Sequence, residues 1–229
     1  MGEHHDKRFP GESDDYRAAR DSLLTAELNL RRQIEEVAAQ RRALPPGGPL
    51  KEDYAFTEAS GSDAAKQTRF SELFENGKDS LFVYSFMFAG NDENPCPACT
   101  SLLDGLNGSA PHIRARISFA VVGKAPLPRL LDWAEGRGWN NLRLLSSEGN
   151  SYNADYFGET PDGGQIPAIN IFRKTSDGIL HAYNSELLYA PWEEGQHGRH
   201  ADMLWPLWNA FDLTPDGRGT DWFPRFSYN

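Results

Sequence analysis

The stretch 81–106, LFVYSFMFAGNDENPCPACTSLLDGL, decides the fold. Its opening run, Leu81 to Gly90, is almost unbroken in its apolar character and follows an acidic, glycine-containing segment. Such a run is too short for the ~20 residues that cross a bilayer, so it reads as a buried central strand at about Ser80 to Phe88. The loop AGNDENP then delivers Cys96-Pro97-Ala98-Cys99. Beyond it Leu102, Leu103 and Leu106 share one helical face, and Gly105 or Gly108 is the expected stop. Both cysteines therefore stand at the start of a helix.

Working outward, RARISFAVV (Arg114 to Val122) reads as a second strand and PLPRLLDWAEG (Pro126 to Gly136) as a helix with proline in its first turn. Trp139 to Ser146 fits a further short strand, and Gly149 to Gly158 fits a loop. Ile166-Pro167 opens two β-rich runs joined at Ser176-Asp177-Gly178, the pattern of an antiparallel hairpin. A last helix is expected over His200 to Phe211, where Met203, Leu204, Leu207, Trp208 and Phe211 recur at helical spacing. Upstream, TEASGSDAAKQT reads as a polar connection, and Phe70, Leu73 and Phe74 as a short helix or turn.

The N-terminal region predicts one long helix from Asp14 to Leu44, free of Gly and Pro and closed by Pro45-Pro46-Gly47-Gly48. Leu23, Leu30, Val37 and Leu44 form a row on it at a spacing of seven. That row packs either on its own domain or on a partner helix in a homodimer, and the sequence leaves both open. The expected division is a tail and helical arm over 1–50, then one domain with a C-terminal extension over 51–229. A strand, a Cys-x-x-Cys helix, an alternating strand and helix, and a closing hairpin with a helix are the layout of an α/β thioredoxin-like fold. Its central mixed sheet is flanked by helices, and here a long N-terminal helix precedes it.

The cysteine spacing carries chemistry. Unpaired N–H groups at a helix start favour a thiolate, so Cys96 is expected to be the attacking sulfur. Two intervening residues bring Cys99 within disulfide reach as the resolving thiol, and Pro97 fits the first helical position because its missing N–H would have gone unpaired.

NPCPACTSLLDGLNGSAPHI, FVYSFMFAG, YNADYFGE and FDLTPDGRG together resemble a bacterial family of thioredoxin-like proteins known only as a domain of unknown function, over roughly Phe70 to Gly219. The resemblance implies the fold and a redox role; Ser85 stands where similar proteins often carry His. By likeness to thioredoxins, the residue before a cis proline would face the cysteine pair and bind an extended thiol substrate, which points to Ile166-Pro167. Pro97, Ile166 and Pro167 are thus the expected substrate-binding residues. Peroxiredoxins share the fold but place their cysteine at the end of Thr-x-x-Cys, and Glu93 stands at that threonine position.

Two other classes compete. Cys96 and Cys99 with His197 and His200 could ligate zinc, although the histidine spacing is shorter than usual and the pairs lie far apart. A non-catalytic thioredoxin-fold scaffold is the other. His112 and Asp104 read as structural first and as proton carriers second; His181 reads as a hairpin residue, and His4 and His5 as parts of a loose tail. The aromatics Tyr152, Tyr156, Phe157, Trp192, Trp205, Trp208 and Trp222 read mainly as packing.

The chain has 229 residues with 23 Lys and Arg against 33 Asp and Glu, a formal charge of −10 that repels phosphate backbones and anionic lipid. Nucleic acid and membrane are therefore set aside as partners, in favour of a protein or small-molecule disulfide or thiol. No P-loop, dinucleotide or serine-hydrolase spacing occurs, so nucleotide use and serine hydrolysis have no support, and neither cofactor nor metal is expected in the redox reading. With two cysteines in all and no apolar leader, the expected address is cytoplasmic.

Overall fold

The computed structural model describes residues 4–60, 64–191, 194, 204–216, 219 and 221–228. The chain divides into two units, Met1–Pro45 and Pro46–Asn229.

In the first unit, helix α1 (Asp14–Arg42) begins where the Ser13 hydroxyl accepts the Tyr16 N–H, with Asp14 and Asp15 in its first turn and Arg41 and Arg42 in its last. Those charges oppose the helix dipole at both ends. The tail, expected to be loose, is tied to the helix instead: His4 Nε2 lies 2.9 Å from Thr25 Oγ1, buried Arg17 donates to the Lys7 carbonyl, and Arg20 covers the Phe9 ring. Leu23, Leu30, Ile34, Val37 and Leu44 are exposed.

The second unit is built on a seven-stranded sheet in the order β2-β1-β5-β4-β3-β6-β7. Its strands are β1 (Ala55–Ser60), β2 (Ala64–Arg69), β3 (Ser80–Phe86), β4 (Ser118–Gly123), β5 (Leu144–Ser146), β6 (Ala168–Thr175) and β7 (Gly178–Asn184). Strands β3, β4 and β5 are parallel, β6 runs antiparallel to β3, and β7 antiparallel to β6. Helix α2 (Pro97–Arg116) connects β3 to β4, and α3 (Leu127–Arg137) connects β4 to β5. A strand, its cysteine helix, a parallel neighbour on one side and an antiparallel hairpin on the other make this a thioredoxin-like fold.

Strand β3 is apolar throughout because both faces are covered. Phe82, Tyr84 and Phe86 enter one core with Cys99, Leu102, Leu103 and Leu106 of α2. Leu81 and Val83, between them, enter a second core with Tyr54, Phe56, Phe70, Tyr152 and Phe172. This alternation is the period of two that any strand imposes.

The structure corrects several expectations. Helix α2 does not stop at Gly105 or Gly108 but continues through Pro111 to Arg116, taking Arg114–Arg116 from the expected strand. Pro111 has no N–H for the Asn107 carbonyl, and Asn141 Nδ2 supplies a donor to that carbonyl at 3.2 Å. The buried face of Leu102, Leu103, Leu106 and Ala110 outweighs the weak intrinsic preference of the glycines. The small, polar segment over 57–68 falls within the antiparallel pair β1 and β2 at the sheet edge. Within 149–158 a single turn, α4 (Tyr152–Asp155), interrupts the loop. The last helix, α5, covers Pro206–Asp212; the earlier part of the expected span, including His200 and Met203, lies outside the described residues.

Candidate functional site

The end of β3 leads into a loop fixed at several points before it reaches the cysteines. The Cys96 N–H bonds the Met87 carbonyl at 3.0 Å, and the Ala125 N–H bonds the Phe88 carbonyl at 2.7 Å. Asp92 Oδ2 accepts the Ala89 N–H at 2.7 Å. Arg129 of α3 donates to the carbonyls of Gly90 (2.8 Å), Glu93 (3.1 Å) and Asp92, and its guanidinium lies 4.7 Å from the Phe88 ring centre. One cation thus gathers three carbonyls of the segment that presents Cys96.

Cys96 is the N-cap of α2, with Pro97 in the first turn. Its sulfur accepts the Cys99 N–H at 3.5 Å. The two cysteines are free thiols 3.4 Å apart, Cys96 half-buried and Cys99 buried. Their acidities diverge. A hydrogen bond from the Cys99 thiol, opposed by burial and helped by the Cys99 and Ala98 N–H groups, lowers Cys96 from the usual 9.0 to about 6. Cys99 moves the other way, well above the usual value, because its proton is held by the Cys96 sulfur and its site is buried. The helix start therefore favours ionisation of Cys96 and disfavours that of Cys99, an asymmetry suited to thiol redox chemistry.

The sequence reading missed two residues here. Tyr84 is buried in the same core as Cys99, but an aromatic inside an apolar strand carries no functional signal of its own. Arg129 acts from another helix, and nothing in its local sequence links it to the loop.

Ile166 and Pro167 precede β6, whose Ala168 pairs with Ser85 near the end of β3. The Ile166 N–H bonds the Gly158 carbonyl at 3.0 Å. The described residues contain no cis peptide bond, so the expected cis geometry at Pro167 is corrected to trans. Trans is the usual form, and a proline just ahead of a strand costs no ladder hydrogen bond.

Other candidates have structural roles. Asp104 pairs with Arg137 and accepts Trp139 Nε1 at 2.8 Å. His112 is exposed far along α2, not beyond the helix as expected. His181 Nε2 lies 2.9 Å from Asn170 Oδ1, and burial lowers its pKa. Trp205 donates to Ser101 Oγ at 3.3 Å and is buried with Trp208 in the core that holds Cys99. His197, His200 and Trp192 lie outside the described residues. Among the described residues, no group of three or more His, Cys, Asp or Glu gathers as metal ligands. Neither is any helix long and apolar enough to cross a membrane. A groove of about 1080 Å³ lies away from the cysteines, bordered by Glu58, Glu75, Arg114 and Arg143, whose charges pair with one another.

The model of a family described as "Bacterial protein of unknown function (DUF899)" matches residues 6–228. No curated protein matches the chain. Among solved structures the chain is similar to thioredoxin peroxidase I of Plasmodium yoelii, with 15% identity, 74% of this chain and 91% of that chain covered, and a TM-score of 0.47. It is also similar to reduced Prx3 of Vibrio vulnificus (13% identity, 70% and 99% covered, TM-score 0.46). A third is peroxidoxin BcpB of Mycobacterium tuberculosis (17% identity, 73% and 97% covered, TM-score 0.44).

Proposed function

The chain belongs to this family of bacterial proteins of unknown function, and we propose that it acts as a thiol–disulfide oxidoreductase through Cys96 and Cys99. The observation that carries this reading is the placement of the pair: two free thiols 3.4 Å apart at the start of α2, with half-buried Cys96 as the N-cap accepting the Cys99 N–H and Cys99 buried behind it; these surroundings lower the pKa of Cys96 and raise that of Cys99. Near neutral pH one sulfur is ready to attack and the other is held in reserve.

Cys96 thiolate attacks one sulfur of a substrate disulfide; the substrate S–S bond breaks and the first substrate thiolate leaves, taking up a proton. Cys99 then loses its proton and attacks the Cys96 sulfur. The mixed disulfide breaks, the second substrate thiolate leaves and is protonated, and the Cys96–Cys99 disulfide forms. The substrate gains two electrons and the cysteine pair loses two, which an external dithiol restores. No cofactor enters this scheme. Ile166 and Pro167 border the substrate in this reading, because the β6 register carries them past the end of β3 to which Cys96 is tied; Pro97 forms the other wall beside the reactive sulfur. The substrate is a protein or small-molecule disulfide, and the reading keeps the protein in the cytoplasm, where a chain with only two cysteines meets a reducing pool.

The exposed row of α1 has a second copy of the chain as its partner in this reading. The first half of the helix is richer in acid (Asp14, Asp15, Asp21, Glu27) and the second half in base (Arg31, Arg32, Arg41, Arg42), so two copies laid antiparallel match opposite charges while covering Leu23, Leu30 and Val37.

Turnover of a small disulfide substrate with an external dithiol tests the function. Cys96→Ser abolishes it, and Cys99→Ser accumulates a mixed disulfide seen as a mass adduct on Cys96. Undiminished turnover in Cys96→Ser overturns the reading.

A further inference from the structure

Ile166 stands opposite the point where the cysteine loop leaves the sheet. The register of β6 with β3 pairs Ala168 with Ser85, and carried two residues further it sets Ile166 against Met87, whose carbonyl receives the Cys96 N–H. A peptide disulfide reaching Cys96 in extended form would gain most by adding a strand to the edge of β6 left where β3 turns away. Whether that edge is open decides what kind of disulfide the pair can take.

Successive residues of a strand turn their N–H and C=O groups to opposite neighbours. Ile169 gives both to Ser185, just past β7: its N–H bonds Ser185 Oγ at 2.8 Å and its carbonyl accepts the Ser185 N–H at 3.0 Å. The Lys174 N–H reaches the Asp79 carbonyl at 2.7 Å, just ahead of β3. Even-numbered positions of β6 therefore face β3, and Ile166 and Gly164 continue that series. Their partner is the chain's own segment 158–160. The Ile166 N–H bonds the Gly158 carbonyl at 3.0 Å and the Thr160 N–H bonds the Gly164 carbonyl at 2.7 Å, with Glu159 bridged to Gln165 between them. This segment takes up the edge that β3 leaves.

Several contacts hold it there. The Gly158 N–H bonds the Asn153 carbonyl at 2.7 Å, Glu159 pairs with Lys124 at 3.1 Å, and the Gly163 N–H bonds the Thr160 carbonyl at 2.9 Å across the turn. Gly158 lies so close to β3 that a Cβ there would stand 3.0 Å from Ser85 Oγ and 3.1 Å from Ser85 Cβ. Glycine at 158 is what lets the segment sit against the strand end.

We infer that the hairpin over 158–166 closes the strand edge beside Cys96, so that the substrate is a low-molecular-weight disulfide and not an extended protein segment. The inference rests on the redox reading of the pair and narrows it. The side chain of Ile166 and the ring of Pro167, both half-buried, still border such a substrate; only the backbone of Ile166 is already spent. A small disulfide needs no strand edge, only access to the sulfur of half-buried Cys96.

Turnover with an external dithiol, corrected for the uncatalysed reaction, compares bis(2-hydroxyethyl) disulfide with insulin as the protein disulfide. In the wild type kcat/KM for the small disulfide exceeds that for insulin by at least about tenfold, the worth of two strand hydrogen bonds that a peptide forgoes. Gly158→Val drives a side chain against Ser85 and lifts the segment off Ile166. Insulin turnover then rises by about tenfold, while that of the small disulfide changes by less than about twofold. Adding Ser85→Gly makes room for the new side chain and returns the wild-type preference. Should Gly158→Val fail to fold, amide hydrogen exchange on the wild type decides: the Ile166 N–H is protected, and exchange at the rate of an open chain overturns the inference. Insulin turnover by the wild type equal to that of the small disulfide overturns it as well, as does unchanged insulin turnover in folded Gly158→Val. If the wild type turns over neither substrate, it is the redox reading that has failed, and the two failures are thereby told apart.

Discussion

Cys96 and Cys99 are the same residue one helical turn apart, and the fold gives them opposite chemistry. Cys96 shares a proton from its neighbour and meets two backbone N–H groups; Cys99 is enclosed by the aromatic face of β3. Alkylation of Cys96 by iodoacetamide should therefore rise with pH about a midpoint near 6, in place of the 9.0 of an ordinary thiol, when followed by peptide mass spectrometry. Cys99→Ala removes the proton donor and moves that midpoint back toward 9.0; an unmoved midpoint would contradict the assigned cause. The same shifts act on stability. The depressed pKa of Cys96 contributes stabilisation that is full above 9.0 and is lost as pH falls through about 6. The raised pKa of Cys99 contributes in the opposite sense, fully below the ordinary thiol range and progressively less as pH climbs toward its folded value. At this scale the sequence revealed the pair and its place at a helix start, since both are read from spacing and from the apolar face that follows. It concealed Arg129, whose hold on the loop before Cys96 shows only once α3 is placed beside it.

Between elements, two cations hold the sheet and its loop in register. Arg129 ties α3 to the three carbonyls before Cys96. Arg129→Ala should cost about 1.5–3 kcal/mol of stability, the range for hydrogen bonds to a charged group, read from urea unfolding. It should also lower Cys96 alkylation at pH 7, because the loop no longer fixes the sulfur; full stability with full reactivity would show that the clamp is idle. On the other side, Arg143 bonds Glu58 through two nitrogens at 2.7 and 3.0 Å, joining the strand β1 to the residue before β5. Burial pulls the Glu58 pKa up, but the Arg143 and Thr68 hydrogen bonds outweigh it and leave the carboxyl below the usual 4.5. The pair therefore stabilises fully above 4.5 and is lost as pH falls through the folded value of Glu58. Arg143→Ala should cost about 1.5–3 kcal/mol at neutral pH, the range for hydrogen bonds to a charged group, because Glu58 keeps Thr68 and Lys66 as partners, with the deficit shrinking on acidification. A deficit independent of pH would assign the loss to packing alone. The β1–β2 hairpin that presents Glu58 was not legible, since its residues are largely polar or small and only Phe56 and Thr68 are buried. An edge strand covered on one face leaves too faint an alternation to read. The central strand β3, enclosed on both faces, was legible for the opposite reason.

For the molecule as a whole, the order of the elements was enough to place the cysteines on a thioredoxin-like sheet, because β3, α2, β4, α3 and the β6–β7 hairpin follow one another as the apolar pattern directs. The partner of α1 was not, as a seven-residue row fits its own domain or a second helix equally well. Light scattering on the full chain should give the mass of a dimer, and Leu30→Glu with Val37→Glu should give a monomer with unchanged thiol chemistry; a wild-type monomer would contradict the second-copy assignment. The central claim is the redox pair, and its most direct test is free-thiol mass spectrometry across a glutathione titration of the metal-stripped protein, with zinc determined beforehand. The account predicts a reversible loss of about 2 Da confined to the peptide holding Cys96 and Cys99, at a potential within about −270 to −120 mV. Stoichiometric zinc in the isolated protein, or thiols that never pair at any poise, would contradict it.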